Sequence, residues 1–190
     1  MNLLKKSLLL FVLCSYILFS GCAIEPQLAK SSSSTIEEPT EQNNEIDDEQ
    51  KMMATQFVEM ADEIMRQTKS IGDSREMYMA AANFDPSNIK ANYMAGISHI
   101  DLQTLPQSKR AKGIEYLLTA YELNPDYKFD LLYKLGNGYH IKGDFSNAIA
   151  YYKKYTKKLN GDPNYIGEDL IDLEIVKSKI KQCKNGEVMN

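Results

Sequence analysis

The stretch Leu135-Gly136-Asn137-Gly138-Tyr139-His140-Ile141-Lys142-Gly143-Asp144-Phe145, continued by Ala148 and Tyr152, decides the fold. Asp144 is placed to cap a helix that begins just past Gly143. Two earlier stretches repeat its grammar. Tyr133-Lys134-Leu135-Gly136 answers to Tyr93-Met94-Ala95-Gly96, and in both the glycine lets one helix backbone approach its partner closely. Helix endings repeat too. Tyr78-Met79-Ala80-Ala81-Ala82-Asn83-Phe84-Asp85-Pro86 and Leu117-Leu118-Thr119-Ala120-Tyr121-Glu122-Leu123-Asn124-Pro125 each run from a large residue through alanine to a proline that stops the helix. Tyr151-Tyr152-Lys153-Lys154-Tyr155 holds the corresponding place in a third unit.

These phrases resemble the tetratricopeptide repeat (TPR) family, whose unit is about 34 residues. Here Gly96 to Gly136 is 40 residues and Pro86 to Pro125 is 39, the excess falling in the loop around Gln103-Thr104-Leu105-Pro106-Gln107. The third unit matches best, through Leu135-Gly136, Tyr139, Gly143-Asp144-Phe145, Ala148 and Tyr152. The second keeps Ala95-Gly96, Ala111, Leu117, Ala120 and Pro125; the first keeps only Tyr78, Ala81 and Asp85-Pro86. The resemblance covers about residues 50–160. It implies an all-α fold: a TPR-like right-handed superhelix of antiparallel helix pairs, about three units, closed by a C-terminal capping helix.

Seven helices are expected, over 46–68, 73–84, 88–102, 107–123, 127–141, 145–159 and 165–184. Asp73 with Glu76 forms a capping-box pair for the second. The last carries Ile166, Leu170, Leu173, Val176, Ile180 and Cys183 on one stripe. The tyrosines and Met52, Met53, Met60, Met65, Met77 and Met79 are expected mostly in the core.

The first residues carry a different signal. Lys5 and Lys6 precede an uncharged run from Ser7 to Phe19, shorter than the roughly 20 residues a membrane span needs. The run ends in Ser20-Gly21 before Cys22, which resembles a lipobox with Phe19 where leucine is usual. Residues 1–21 thus read as a lipoprotein signal peptide and Cys22 as the lipidated residue, anchored through its acyl chains. Residues 22–49 form an acidic, Ser/Pro-containing flexible tether with seven acids and no base between Ser31 and Gln50. Residues 50–184 form the helical domain, and 185–190 a tail.

Residues 1–21 contain two lysines and no acid, so the formal charge of −4 becomes −6 after processing. That balance, with no basic stripe, excludes nucleic acid as a partner. Cys14 leaves with the signal and Cys22 is modified, so only Cys183 keeps a thiol and no intramolecular disulfide forms. Cys183 either packs as a small apolar residue or pairs between molecules.

Catalytic motifs are missing from the sequence: no glycine-rich phosphate loop, no CxxC, no His-Glu pair on a helical turn and no nucleophile motif. The chain is therefore expected not to be an enzyme and to need no cofactor. His99 and His140 make a poor metal site without a nearby cysteine or carboxylate, leaving a groove-lining or a structural role. An enzyme acting on wall or peptide substrates would require carboxylates converging in a deep cleft.

In the TPR family, ligand contacts come from set positions on the first helix of each pair. Carried over, these are Lys90, Tyr93, Ile97, Ile100 and Asp101 in the second unit, and Asp130, Tyr133, Asn137, His140 and Ile141 in the third. Tyr93 and Tyr133 either cover an extended peptide or pack between helices. The clamp by which chaperone-binding TPRs hold a terminal carboxylate needs lysine where Tyr133 stands, and only Asn137 matches it.

Signal, tether, repeats and the ending Ile180-Lys181-Gln182-Cys183-Lys184-Asn185-Gly186 together resemble the N-terminal part of envelope lipoproteins. In those proteins a TPR region precedes β-propeller-like and OmpA-like peptidoglycan-binding domains, and some belong to an outer-membrane secretion machinery. Neither domain has a counterpart in these 190 residues. The expected function is thus a membrane-anchored protein-interaction module, a scaffold or assembly factor binding a protein or extended peptide partner. Its expected location is the cell envelope, with the anchor in the outer membrane. Self-association into a homo-oligomer, without a groove ligand, is the alternative.

Overall fold

The computed structural model describes residues 47–163 and 165–189, and all regular structure among them is helical. The signal peptide, Cys22 and the tether up to residue 46 lie outside the described residues. Asp47 caps α1 (Asp48–Thr68), its carboxylate accepting from the Glu49 N–H. Asp48 and Glu49 thus form the first helical turn, where negative charge suits the helix dipole.

After a two-residue turn through Lys69, in the left-handed region at φ 56°, comes α2 (Ile71–Phe84). It starts earlier than expected because Ser70, and not Asp73, is the cap: its hydroxyl accepts from the Asp73 N–H. Both helix-stopping Asx-Pro pairs work alike. Asp85 and Asn124 adopt extended backbone, as a residue before proline must, and end α2 and α5 (Gly113–Leu123). Each then accepts, through Oδ1, from the N–H two residues on, at 2.9 Å.

Between those stops lie α3 (Ile89–Ile100) and the short α4 (Gln107–Ala111). The expected helix 107–123 is broken at Lys112, separating α4 from α5. Gly113 lies against α3 there, and a Cβ on it would fall 2.5 Å from the Gly96 carbonyl oxygen. The next pair is α6 (Leu131–Lys142) and α7 (Phe145–Gly161), joined by Gly143 at φ 80° with Asp144 capping as expected through the Asn147 N–H.

The last helix is shorter than expected. α8 spans Leu173–Lys184 with Asp172 as its cap, while residues 165–172 are not helical. Tyr165 stacks on Phe129 with ring centroids 3.9 Å apart, and Asp169 accepts from both the Tyr165 hydroxyl and the Phe129 N–H. Those contacts hold the segment as a turn and leave Ile166 93% exposed, off the stripe assigned to it.

Helices pack in succession. α1 lies on α2, α3 on α5 and α6 on α7, while α2 and α5 each touch the helix that opens the next pair and α7 touches α8. Alanines 54, 61, 81, 82, 91 and 95 form the first interfaces, where small side chains allow close approach. Larger residues fill the rest: Ile100, Leu117, Leu131 and Leu135 in one cluster, Phe129, Tyr133, Tyr152, Tyr155 and Val176 in the next. Met65, Met77 and Met79 pack against this interior, but Met52 and Met60 face outward, each more than half exposed. Cys183 is buried among the second set, and burial pushes its thiol pKa up.

Candidate functional site

The ten residues assigned to ligand contact separate into two groups. Tyr93, Asp130, His140 and Ile141 are buried and engaged with the protein's own interior. The Tyr93 hydroxyl donates to Asp130 Oδ1 at 2.8 Å, and its ring meets Tyr127 edge-on. Of its two readings, packing between helices describes Tyr93. Burial raises the Asp130 carboxyl above its ordinary value, against the opposing hydrogen bond from Tyr93. Lys90 faces α1, where its ammonium pairs with Asp62 at 2.5 Å beside the Tyr78 hydroxyl. Burial would raise the Asp62 carboxyl, but those two hydrogen bonds bring it below its usual range. Ile97 packs half-buried against the core.

The remaining four, Ile100, Asp101, Tyr133 and Asn137, line one cavity of about 320 Å³. Tyr133 is only 8% exposed, its ring held against Tyr152 and Tyr155. Asn137 is oriented by the Tyr152 hydroxyl, which donates to its Oδ1 at 2.8 Å. Asp101 sits at the exposed edge, paired with Lys134 at 2.6 Å.

Sequence reasoning missed half of this cavity: Gln103, Arg110, Lys179 and Met189 complete it. Arg110 comes from α4, within the expected helix 107–123 but at none of the assigned ligand positions. It is 5% exposed, and its Nε and Nη2 both donate to the Ile100 carbonyl, at 3.1 and 2.9 Å. That carbonyl ends α3, and satisfying it is what a cation can do at a helix C-terminus. Lys179 lies on the polar side of α8, and Met189 on residues set aside as a tail. Helical periodicity carries no signal for any of them.

Both histidines take structural roles. His99 Nδ1 lies 2.9 Å from the Ala95 carbonyl, its ring beside Tyr116. His140 bonds through Nε2 to the Glu187 carbonyl and lies 3.3 Å through Nδ1 from the Tyr152 hydroxyl.

A larger cavity of about 530 Å³ lies around Phe129 and Tyr165. Its Lys158 is already paired with Asp126 at 3.1 Å and stacked over the Phe129 ring, and Asp169 is taken up by backbone and tyrosine. The smaller cavity, which gathers four of the assigned positions, is therefore the better candidate. No protein-family profile matches the chain, and no curated protein matches it in sequence.

Proposed function

We infer that the chain is a membrane-anchored lipoprotein of the cell envelope that presents a TPR-like stack of three helix pairs and recognises a protein partner without turnover. The carrying observation is the cavity of about 320 Å³, where four positions assigned from the repeat pattern meet residues from three further segments. The repeat reading is supported by the order of packing, in which each second helix touches the first helix of the following pair, and α3 touches α6. A right-handed superhelical stack is the arrangement that this order suits. Cys22 would hold the cavity near a membrane surface, raising the effective concentration of a partner captured there.

Site-specific photo-crosslinking in cells tests this reading. A benzophenone side chain in place of Asp101 is expected to yield a discrete protein adduct, and one in place of Glu174, on the exposed start of α8, is not. No adduct at either position, or the same pattern at both, rejects it. Self-association is the second reading, favoured by outward-facing Met52 and Met60 on α1. Sedimentation of the chain as a strict monomer removes it.

A further inference from the structure

The cavity between α3, α4, α6 and α8 is walled by a buried cation that has no ion-pair partner among the described residues. A guanidinium stays charged at any working pH, and burying that charge is costly unless it is paired. Arg110 is 5% exposed, yet among the described residues no carboxylate forms an ion pair with it. Its two hydrogen bonds go to one neutral carbonyl and use two of about five N–H donors. Asp101, the acid at the cavity edge, is held by Lys134 instead. Lys179 brings a second cation from α8, also without an ion pair among the described residues. Asn137 spends its oxygen on Tyr152 and an amide N–H on the Tyr133 hydroxyl, which leaves its other amide N–H as a donor on the same wall.

Donors and positive charge therefore converge on this wall, where the one lining carboxylate, Asp101, is already held by Lys134, and we propose that this cavity binds a carboxylate carried by a peptide partner, with Arg110 as its charge partner. A guanidinium meets a planar carboxylate with two parallel bonds, and an oriented amide adds a third. A doubly charged phosphate fits less well, because the Asp101 carboxylate lines the same space. Both cations come from α4 and α8, outside the first helices that supply the chaperone-type clamp, so this is a different construction. The inference rests on the reading of the cavity as the partner site.

Titration of the full chain in detergent, followed by NMR of the Arg110 Nε–H and the Asn137 amide, tests it with N-acetylated alanine tripeptides. One has a free C-terminal carboxylate; two are C-terminally amidated, with glutamate or glutamine at the centre. Saturable shifts are expected with a carboxylate peptide and not with the glutamine one. A response to the amidated glutamate peptide assigns a side-chain carboxylate, and a response to the free terminus assigns a terminal one. Arg110→Gln is expected to weaken binding about tenfold or more. Because it also removes the bond to Ile100, Lys179→Gln serves as the variant that keeps the fold, with a loss of about threefold. Equal shifts with the glutamine peptide, tighter binding of inorganic phosphate, or unchanged affinity in Lys179→Gln overturns the proposal. A crosslinked partner at Asp101 could survive that result, so failure here is distinct from failure of the binding function.

Discussion

The Nε2 atom of His140 lies 2.7 Å from the carbonyl oxygen of Glu187. His140 is fully buried on α6, whereas Glu187 is exposed beyond the end of α8. One bond thus ties the chain after the last helix to the interior of the third pair. Because a carbonyl only accepts, Nε2 must carry the proton. The Tyr152 hydroxyl then has two acceptors before it, Nδ1 at 3.3 Å and the nearer Asn137 Oδ1 at 2.8 Å. The contact continues in this way to the cavity wall.

Burial lowers the His140 pKa below its ordinary 6.5, outweighing the attraction of the Glu187 carbonyl. A depressed value means that the fold prefers neutral imidazole. Its contribution to stability is therefore complete above about 6.5 and is lost as pH falls through the folded value. Chemical denaturation is expected to show stability declining across that interval, with a shallower decline in His140→Gln. Equal slopes for the two proteins would remove His140 as the cause.

Tyr93 and Asp130 provide a test with the opposite sign. The raised Asp130 pKa makes the fold favour the protonated acid, so its contribution is full below the unfolded value near 3.8 and disappears as pH rises through the folded one. Asp130→Asn keeps an acceptor for the tyrosine while discarding the buried charge. Stability at pH 7 is expected to be unchanged or higher. Tyr93→Phe leaves the carboxylate without its donor and is expected to cost about 1–3 kcal/mol. Urea midpoints at pH 7 check both, and a destabilised Asp130→Asn would contradict the argument.

Glycines at 136, 143 and 161 are expected to respond differently to alanine. At 136 a Cβ would sit 2.5 Å from the Tyr152 ring, an overpacking cost of roughly 1–3 kcal/mol that exceeds the helix-propensity gain of about 1. At 143 there is open space but a φ of 80°, and strain of about 1 kcal/mol is expected. At 161, with neither obstacle, stability should stay level or rise slightly. Thermal melts of the three variants should rank 136 lowest, and any other variant in that place would refute the close-crossing account.

The proposed anchoring depends on a single side chain. Cys22→Ser is expected to abolish incorporation of labelled fatty acid and to release the protein from sedimented membranes. Retention of label in that variant would disprove lipidation at this residue.

Local chemistry was legible in the residues. Asp85-Pro86, Asn124-Pro125 and Gly143-Asp144 terminate or cap helices through their own backbone and side-chain atoms, and each does so in the structure. Gly96 and Gly136 were readable as close crossings because only glycine leaves room there for Leu117 and Tyr152. The α8 boundary was not, since Ile166 and Leu170 have helical spacing but the Phe129 to Tyr165 stack, between residues far apart in sequence, outweighs it.

The candidate site divides along the same line. Ile100, Asp101, Tyr133 and Asn137 are implied by the TPR resemblance, which carries ligand positions onto the first helix of each pair. Those positions say nothing of what a side chain meets in the fold, and so did not separate Tyr93, held by Asp130 and Tyr127, from the equally buried Asn137 on the cavity wall. Arg110, Lys179 and Met189 reach the cavity only because α4 breaks from α5 and the chain beyond α8 returns over α6. Those are contacts between distant segments, and a one-dimensional pattern holds no term for them. The residues thus dictated helices and the stops at Asp85-Pro86, Asn124-Pro125 and Gly143-Asp144, while tertiary packing decided that a buried arginine stands on the cavity wall with no ion pair among the described residues.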